Sequence, residues 1–433
     1  MKFDRLMVVL VLLLCGCATA PATPEPSANK VAASEQADPR LARLDGWLEQ
    51  RIGANEIAGA VVLLQRNGQT LRHKAYGMAD REAGREMRED SMFRIMSMSK
   101  PVTSAAVMML FEEGRFLLDD PVSKYLPEFD RPMQVVVPKD EGYELAPAKQ
   151  AITIRHFLTH TSGIAYRFLG QQPLTDLYAA AGIGDGLSQQ DMTLAEFVKR
   201  IAQMPLAHEP GTGFTYGLSV DVLGRLVEVV SGQPFDTFLS ERIFQPLGMH
   251  DTYFLVPAEK RERVATVYRR NEAGQLQAVP AGIITEGPVV FSTDYPFADA
   301  NPYRAGGAGL VSTAADYGRF LTMLMKGGEL DGARVLGRKT VELMLSDQLE
   351  RLGVSFPEGE GRDFGLGLGL DGGPARTGTL GSAGAGGWSG FFSTDAFVDP
   401  VEQLVAVLMV QHYPYNMRVL SEFRVMVYQS LGW

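Results

Sequence analysis

Strand-like apolar runs lie near both ends of this chain, whereas helical patterns dominate its middle. Near the beginning, apolar runs at residues 59–65 and 69–76 flank Asn67-Gly68, a pair typical of a tight hairpin turn. The last third returns to strand patterns, at residues 365–370, 396–399 and 403–411. Because these strands come from opposite ends of the sequence, we expect an α+β fold. Its antiparallel sheet is built from both chain ends and flanked by helices, and an all-helical region is inserted in the middle.

Apolar residues recur at helical spacing in several segments. A first amphipathic helix is predicted around residues 41–52, a long apolar helix follows Lys100 and ends near Gly114, and a last helix covers about residues 417–431. The helical patterns of the middle lie at residues 155–159, 193–204, 219–231 and 234–243. We therefore expect one folded domain over residues 40–433, with its α/β part at about 40–115 and 300–433 and its helical part at about 116–299.

The composition is that of an ordinary globular protein. The 433 residues are 45% hydrophobic and 21% charged, which is enough for a sizeable core. The formal net charge of -10 disfavours a nucleic-acid partner and gives no basic patch for anionic lipid. A neutral or cationic ligand fits this chain more easily than a polyanion.

The first residues have the pattern of an export signal. Lys2 and Arg5 begin a segment whose apolar run, residues 6–14, is too short for a permanent transmembrane helix. Both cysteines of the chain follow, and the order Leu14-Cys15-Gly16-Cys17 resembles a bacterial lipoprotein signal with Cys17 as the lipidated residue. Two acyl chains on one cysteine would give stable anchoring. Cleavage after residues 18–20 without a lipid is the alternative.

This pattern leads to a prediction for the whole N-terminal segment. Residues 1–17 are expected to form a lipoprotein signal peptide, and the Ala/Pro/Ser-rich residues 18–39 a flexible tether. Ala18 is not the Asp that resembles an inner-membrane retention signal, which favours the outer membrane. We therefore expect an exported lipoprotein on the periplasmic side, held in the outer membrane by a lipid anchor.

The most reactive combination of residues is Ser97-Met98-Ser99-Lys100, at the start of the long apolar helix. Residues three apart on a helix share a face, so the Ser97 hydroxyl and the Lys100 amine could meet. The lysine could then act as base for the serine, and the nearby helix N-terminus would favour developing negative charge. The plain alternative is a serine at a helix start and a lysine on a helix surface, both of which are common.

Two further motifs carry candidate site residues. Tyr216 lies in a Gly-rich loop before a predicted helix, where it could project its phenol into a cleft; a neighbouring ammonium would lower its pKa and make it a proton shuttle. A packed tyrosine with a hydrated hydroxyl is the alternative. Trp388-Ser389-Gly390-Phe391 follows a Gly-rich stretch, and its backbone N–H groups could face a substrate carbonyl.

Two other patterns resemble binding motifs but lack the neighbouring residues that such motifs need. His156 and His160 are four residues apart, but no Glu sits beside either, and the Thr161-Ser162-Gly163 turn favours backbone hydrogen bonds by His160 over a metal site. Residues 367–372 match a dinucleotide-binding glycine pattern but run into Gly373-Pro374 rather than a helix. We find no Gly-x-Ser-x-Gly elbow. We therefore expect no metal and no dinucleotide cofactor.

Taken in order, these motifs resemble those of a known enzyme superfamily. The series runs from Ser-x-x-Lys through His-Thr-Ser-Gly and Gly-Phe-Thr-Tyr to Gly-Gly-Ala-Gly-Leu-Val-Ser-Thr and Trp-Ser-Gly. It is similar to the β-lactamase and penicillin-binding-protein superfamily of serine hydrolases, and within it to the family VIII carboxylesterases. The resemblance covers about residues 41–433 and implies a sheet flanked by helices, with the active site in the groove beside a helical region.

The resemblance also implies roles for single residues. Ser97 would be the acylated nucleophile, Lys100 its base, and Tyr216 would share the proton and pass it to the leaving group. The N–H groups of Ser97 and Phe391 would form the oxyanion hole. Trp388, Ser389 and Gly390 match the third motif and would contact substrate.

Two positions depart from the β-lactamase pattern. Leu218 occupies the position at which those enzymes have an Asn that holds a substrate amide. Trp388-Ser389-Gly390 occupies the position of Lys-Thr-Gly, whose lysine would pair with the β-lactam carboxylate. Both exchanges remove a polar side chain that would bind substrate and put an apolar side chain in its place, which favours a neutral ester with an acyl chain. We therefore predict a serine hydrolase that cleaves small or short-chain carboxylic esters. A β-lactamase or D,D-peptidase and a non-catalytic binding lipoprotein are the alternatives.

Overall fold

The two ends of the chain meet in one eight-stranded antiparallel sheet. The computed structural model describes residues 39–169, 172–298, 301–357 and 361–432. The strands of the described residues are β1 (Gly59–Arg66), β2 (Gln69–Asp80), β3 (Arg85–Glu86), β4 (Phe93–Arg94), β5 (Gln134–Pro138), β6 (Tyr143–Pro147), β7 (Tyr268–Arg270), β8 (Leu276–Ala278), β9 (Ile283–Glu286), β10 (Val289–Ser292), β11 (Val311–Ser312), β12 (Glu329–Leu330), β13 (Ala333–Arg334), β14 (Arg362–Phe364), β15 (Gly369–Asp371), β16 (Gly386–Ser389), β17 (Asp395–Asp399) and β18 (Leu404–Met409).

Helices cover the sheet and fill the middle of the chain. They are α1 (Pro39–Gly53), α2 (Ser99–Glu112), α3 (Ile154–Leu158), α4 (Leu174–Ala180), α5 (Leu194–Ile201), α6 (Ser219–Ser231), α7 (Phe235–Leu239), α8 (Ala314–Met325), α9 (Arg338–Met344), α10 (Leu349–Leu352), α11 (Pro374–Thr377) and α12 (Met417–Ser430). A π-helical turn, Ser240–Phe244, extends α7, and single 3₁₀ turns include Met96–Met98 and Arg167–Leu169.

The order of strands in the sheet confirms the predicted closure between the two ends of the chain. The sheet runs β14-β15-β16-β17-β18-β1-β2-β3, so the first strand pairs directly with the last one. Val61 of β1 lies opposite Met409 of β18. The predicted hairpin is also present, because Asn67 and Gly68 between β1 and β2 both have positive φ angles, 52° and 75°, as a primed turn requires.

Strand β1 is apolar from Gly59 to Leu64 because both faces of the sheet are covered there. Val61 and Leu63 belong to the larger apolar core, which also includes residues of α2, α6 and α8. Val62 and Leu64 point the other way and pack with residues of α1 and α12. Successive residues of a strand point to opposite faces, so each layer of helices takes every second side chain.

The fold class is confirmed, but the middle of the chain is not all helical. Three short hairpins, β5–β6, β7–β8 and β9–β10, lie in the region expected to be helical. Residues 365–370, expected as one strand, are instead the turn between β14 and β15 together with the first residues of β15. Strands of three to five residues, as in these hairpins, are too short to establish a clear alternation of apolar and polar side chains.

The predicted signal peptide, tether and Cys17 lie outside the described residues. From Pro39 onward the chain forms one unit by its internal contacts. Within the described ranges no helix combines the length and the apolar character that a membrane crossing demands. The same part of the chain contains no group of three or more His, Cys, Asp or Glu side chains arranged to hold a metal ion.

Candidate active site

Ser97 lies in a tight turn that follows β4, and β4 is held in place by pairing with β11. The turn Met96–Met98 precedes α2, so the predicted helix begins at Ser99, two residues after Ser97. Met96 has a φ angle of 47°, an unusual left-handed conformation for a residue with a side chain. The Ile95 N–H donates to the carbonyl of Leu310 at 3.0 Å. The backbone is therefore bent sharply just before the candidate nucleophile.

Lys100 meets Ser97 as the spacing predicted. Its Nζ lies 3.0 Å from Ser97 Oγ, 3.0 Å from the hydroxyl of Tyr166 and 2.8 Å from the carbonyl oxygen of Gly307. The lysine is 1% exposed, whereas Ser97 is half-buried. A surface lysine at a helix start is thereby excluded, and the amine is aimed at the serine.

Burial gives Lys100 the electrostatic character of a base. It lowers the pKa of the ammonium from that of a free lysine, because the charged form loses its water, while the carboxylate of Asp221 acts in the opposite direction. Burial raises the pKa of Asp221, and the Lys100 charge and a hydrogen bond from Tyr303, at 3.0 Å to Oδ1, oppose that rise. A lysine with a lowered pKa can exist as the neutral amine closer to neutral pH.

A glycine makes room for this cluster. A Cβ placed on Gly307 would lie 2.8 Å from Asp221 Oδ2, 3.1 Å from the Tyr166 hydroxyl and 3.5 Å from Lys100 Nζ. Only a residue without a side chain lets its carbonyl reach Lys100 between these groups. Gly307 thus belongs to the site through its backbone.

Tyr216 is the second candidate residue next to Ser97 and Lys100. The Nζ of Lys100 lies 4.6 Å from the centre of its ring, and the indole N–H of Trp388 donates to its hydroxyl oxygen at 2.9 Å. Burial raises the pKa of Tyr216 above its usual value of about 10, and hydrogen bonds with Ser97 and Trp388 oppose that rise only in part. The expectation of a lowered pKa for Tyr216 is therefore wrong, because loss of solvent outweighs the nearby donors.

The third motif lies on β16 and the turn that follows it. Trp388 is half-buried and faces Tyr216, so it contributes a hydrogen-bond donor as well as the predicted apolar wall. The hydroxyl of Ser389 donates to Asp395 Oδ1 at 2.8 Å, which ties this side chain to the next strand. Gly390 packs against the Ser97 turn, since a Cβ there would lie 2.4 Å from the carbonyl oxygen of Ile95.

The predicted oxyanion donors are both available. The N–H groups of Ser97 and Phe391 make no hydrogen bond within the residues that the structure describes. Phe391 lies in the tight turn after β16, which the Gly390 N–H closes on the carbonyl of Thr394 at 2.8 Å. Free N–H groups at these two positions match what a developing oxyanion needs.

Leu218 does not line the groove, contrary to the sequence-based expectation. Its side chain is 0% exposed, and it packs in the larger apolar core at the beginning of α6. The exchange from Asn therefore removes a polar group without supplying an apolar contact for substrate. The motif defines the position of Leu218 in the chain but not the direction of its side chain.

Both histidines of the His-x-x-x-His pattern accept hydrogen bonds from the backbone, which was expected for His160 only. Nδ1 of His156 accepts the N–H of Thr153 at 3.2 Å, and Nδ1 of His160 accepts the N–H of Gly217 at 3.4 Å. Burial, and secondarily the charge of Lys100, hold the pKa of His160 well below its usual range. The neutral His160 ring lies 4.8 Å from the Tyr216 ring and supports the loop that carries this tyrosine.

Sequence reasoning missed two residues of the cluster, Tyr166 and Asp221. Tyr166 follows the His-Thr-Ser-Gly motif by three residues, and Asp221 stands in the first turn of α6 between Val220 and Val222. An acidic residue within an apolar helix pattern is a signal that could have drawn attention to Asp221, because unpaired carboxylates are rarely buried. Nothing in the local sequence distinguishes Tyr166 from a core tyrosine.

Comparison with known proteins agrees with this geometry. A family model described as Beta-lactamase matches residues 44–429. "Esterase EstB" of Burkholderia gladioli is 35% identical over 389 residues, which cover 88% of this chain and 93% of that protein. "Protein Rv1367c" of Mycobacterium tuberculosis (strain ATCC 25618 / H37Rv) is 37% identical over 372 residues, 83% of this chain and 87% of that protein.

A solved structure extends the comparison to the fold. The structure titled "EstCE1, a hydrolase with promiscuous acyltransferase activity" matches with a TM-score of 0.78 at 30% sequence identity, covering 90% of this chain and 99% of that one. The match thus extends over both the sheet and the helices of the chain.

Proposed function

From the premise that the chain belongs to the β-lactamase family and is a serine hydrolase of the esterase-like kind, we propose that it cleaves small or short-chain carboxylic esters through an acyl-enzyme on Ser97. The observation that carries the proposal is the contact between a buried amine and a half-buried hydroxyl, 3.0 Å apart, beside two free N–H groups. This contact supports a reaction in which nucleophile, base and oxyanion donors act on one carbonyl group.

In the first half of the reaction, neutral Lys100 takes the proton of Ser97 while Oγ attacks the ester carbonyl carbon. The negative charge on the carbonyl oxygen is received by the N–H groups of Ser97 and Phe391. As the bond to the alcohol breaks, the leaving oxygen takes a proton from the Tyr216 hydroxyl, and Tyr216 recovers a proton from the Lys100 ammonium. An ester of Ser97 and a free alcohol result.

In the second half, water replaces the alcohol. Lys100 and Tyr216 accept a proton from the water as it attacks the acyl carbon, and the proton returns to Ser97 Oγ when the acid leaves. All proton transfers occur among Ser97, Lys100 and Tyr216, so these steps call on no further group of the chain.

The third motif supports an ester over a β-lactam. The residue opposite Tyr216 is Trp388, which is uncharged and cannot pair with the carboxylate that β-lactams and cell-wall peptides carry. The half-buried indole instead gives the groove an apolar side. A binding protein without catalysis would have no use for the lowered pKa of Lys100.

The test is hydrolysis of 4-nitrophenyl acetate by the protein without residues 1–38. We expect release of nitrophenol, a mass increase of one acetyl group on Ser97 after rapid quenching, and loss of activity by at least about 10³-fold in Ser97→Ala. Ser240→Ala is the matched control, because its hydroxyl accepts a hydrogen bond from Gln245 away from the site. Unchanged turnover in Ser97→Ala would refute the nucleophile assignment, and faster hydrolysis of a cephalosporin than of the ester would favour a β-lactamase.

Acyl transfer to an alcohol is a second candidate activity. Tyr216, which hydrogen-bonds Ser97, packs against the half-buried ring of Trp388, and this aromatic surface favours an organic alcohol over water as the acceptor. The hydrolase EstCE1, similar in fold, is described as having promiscuous acyltransferase activity. Adding benzyl alcohol during turnover of 4-nitrophenyl acetate should yield benzyl acetate at the expense of acetate; formation of acetate alone would dismiss this activity.

Export and lipidation at Cys17 are also part of our proposal, supported by the pattern of the first 20 residues. The full-length protein should partition with bacterial outer membranes, and Cys17→Ser should release it to the soluble periplasmic fraction. Membrane association of the Cys17→Ser protein would refute the anchor.

A further inference from the structure

Two clusters of aromatic rings adjoin the tyrosines next to Lys100, one through Tyr216 and the other through Tyr166. The first contains Trp388, Phe364, Phe214 and Phe356, with Trp388 and Phe364 at a ring distance of 5.3 Å and Phe214 and Phe356 at 4.8 Å. The second contains Phe168, Phe391, Phe291, Phe392 and Tyr413. The rings of Tyr166 and Tyr216, 5.3 Å apart, lie between the clusters and next to Lys100.

In the proposed reaction the two clusters lie next to different parts of the substrate. The alcohol must leave toward Tyr216, which donates the proton, and this hydroxyl is held by Trp388 of the first cluster. The acyl group points away from the leaving group in a tetrahedral intermediate. In the proposed reaction Phe391 supplies an oxyanion N–H, and its ring packs in the second cluster, so we assign the acyl group to this side of the site.

The second cluster forms an apolar surface on the side assigned to the acyl group. The rings of Phe168 and Phe391 are half-buried and 6.2 Å apart, and Phe168 stacks on Tyr166 at 4.9 Å with an angle of 27° between the ring planes. Behind them Phe291 and Phe392 are 0% exposed and form a rigid support. Half-buried rings on a fixed support favour flat apolar groups.

The surroundings of the surface fit a neutral group. Charged side chains next to it are paired: Arg167 lies 3.6 Å from Asp185, and Glu286 accepts the hydroxyl of Tyr413 at 2.9 Å and pairs with Arg269. Hairpin β9–β10 fixes this edge, because the Ser292 N–H donates to the carbonyl of Leu187 at 3.0 Å. A charged acyl group would find no free partner among the side chains just named.

We propose that Phe168 and Phe391 form an acyl-group subsite that selects compact aromatic acyl groups, such as benzoyl, over acetyl. The subsite rests on the proposed esterase function and refines it, because it assigns the substrate preference to one side of Ser97. The alcohol meets the first cluster, and the acyl group meets the second.

The experiment compares 4-nitrophenyl benzoate with 4-nitrophenyl acetate, which share their alcohol. Phe168→Ala should lower kcat/KM for the benzoate by about tenfold or more and change it for the acetate by less than about threefold. The ratio between the two esters cancels their intrinsic reactivities. Phe391→Leu, which keeps the backbone N–H, should shift the ratio in the same direction.

The matched control is Phe356→Ala, which removes a half-buried ring of the first cluster. It should leave the benzoate-to-acetate ratio unchanged. A second series, acetates of methanol, benzyl alcohol and 2-naphthylmethanol, should respond to Phe356→Ala and not to Phe168→Ala. Near-ultraviolet circular dichroism and the thermal midpoint show that each variant is folded.

Two results would overturn the subsite. An equal loss on benzoate and acetate in Phe168→Ala would mean that the ring has no role in acyl selection, and a response of Phe168→Ala to the alcohol series would place the alcohol on this cluster. Neither result concerns the nucleophile. If Ser97→Ala retained activity on 4-nitrophenyl acetate, the esterase mechanism itself would be wrong.

Discussion

The indole of Trp388 donates its N–H to the hydroxyl oxygen of Tyr216 at 2.9 Å. An indole N–H can only donate, so the Tyr216 oxygen must accept this bond and turn its own proton elsewhere. The other partner of that hydroxyl is Ser97. If Tyr216 donates to Ser97, the serine proton is free to point at Lys100, as a lysine base requires.

Replacing Trp388 tests this direction of hydrogen bonds. Trp388→Phe keeps an apolar ring and removes the donor, and we expect kcat to fall about tenfold with a smaller change in KM, since one neutral hydrogen bond is lost. Trp47→Phe is the control, because Trp47 also donates its indole N–H at 2.9 Å, to Glu422, but far along the chain in α1. Wild-type kcat in Trp388→Phe would show that the bond does not matter.

The pH dependence follows from the buried Lys100. Only the neutral amine can accept the Ser97 proton, so activity rises with pH through the pKa of Lys100, which burial lowers. We expect this rise in kcat/KM to lie well below the free lysine value of about 10.4. A rise centred near that value would contradict a buried base.

Replacing Asp221 should shift the pH at which kcat/KM rises, and the direction of the shift can be predicted. Its carboxylate favours the ammonium form, so Asp221→Asn removes that stabilisation and lowers the pKa of Lys100 further. The acid limb of kcat/KM should shift to lower pH, by about one unit. Asp236→Asn, which loses a carboxylate 2.9 Å from Arg304, should leave the limb in place. A shift to higher pH would contradict the assigned interaction.

The two tyrosines next to Lys100 should differ in their effects. Tyr216→Phe removes the hydroxyl that protonates the leaving group, and kcat should fall by about 10²- to 10⁴-fold. Tyr166 is 2% exposed and bonds Lys100 at 3.0 Å, so Tyr166→Phe should cost only about tenfold by disturbing the lysine. Steady-state kinetics with 4-nitrophenyl acetate measure both, and a larger loss in Tyr166→Phe would reverse the roles.

Gly307→Ala tests how tightly the cluster is packed. The new methyl group would lie 2.8 Å from Asp221 Oδ2 and would displace the carbonyl that holds Lys100, so activity should fall by at least about hundredfold. Gly46→Ala is the control. No atom lies within 4 Å of its added Cβ, and within α1 alanine should stabilise the fold by about 0.5 to 1 kcal/mol. Full activity in Gly307→Ala would mean that the cluster can rearrange.

The sequence was sufficient where chemistry depends on local spacing. Ser97 and Lys100 were paired by their separation of three residues, and the structure brings them to 3.0 Å. The long helices and the first hairpin were also predictable, since apolar period and the Asn67-Gly68 turn are local signals. The short hairpins between residues 134 and 292 were missed because no local period marks them.

Side-chain direction and burial were beyond the sequence. Leu218 stands at a motif position yet lies in the core, and Tyr166 lies outside the motif residues yet forms a hydrogen bond with Lys100. The pKa of Tyr216 was expected to fall and rises, because the degree of desolvation depends on residues from distant segments.

The order of motifs by itself determined the family and the residues that we propose as nucleophile and base, since these depend on residue types at fixed separations. Only the tertiary structure decided that Trp388 bonds Tyr216 across 172 residues, that Asp221 and Gly307 meet around Lys100, and that two aromatic clusters adjoin Tyr216 and Tyr166. The physical reason is that contact between distant segments and exclusion of water arise when the sheet closes from both chain ends, and no local pattern encodes them.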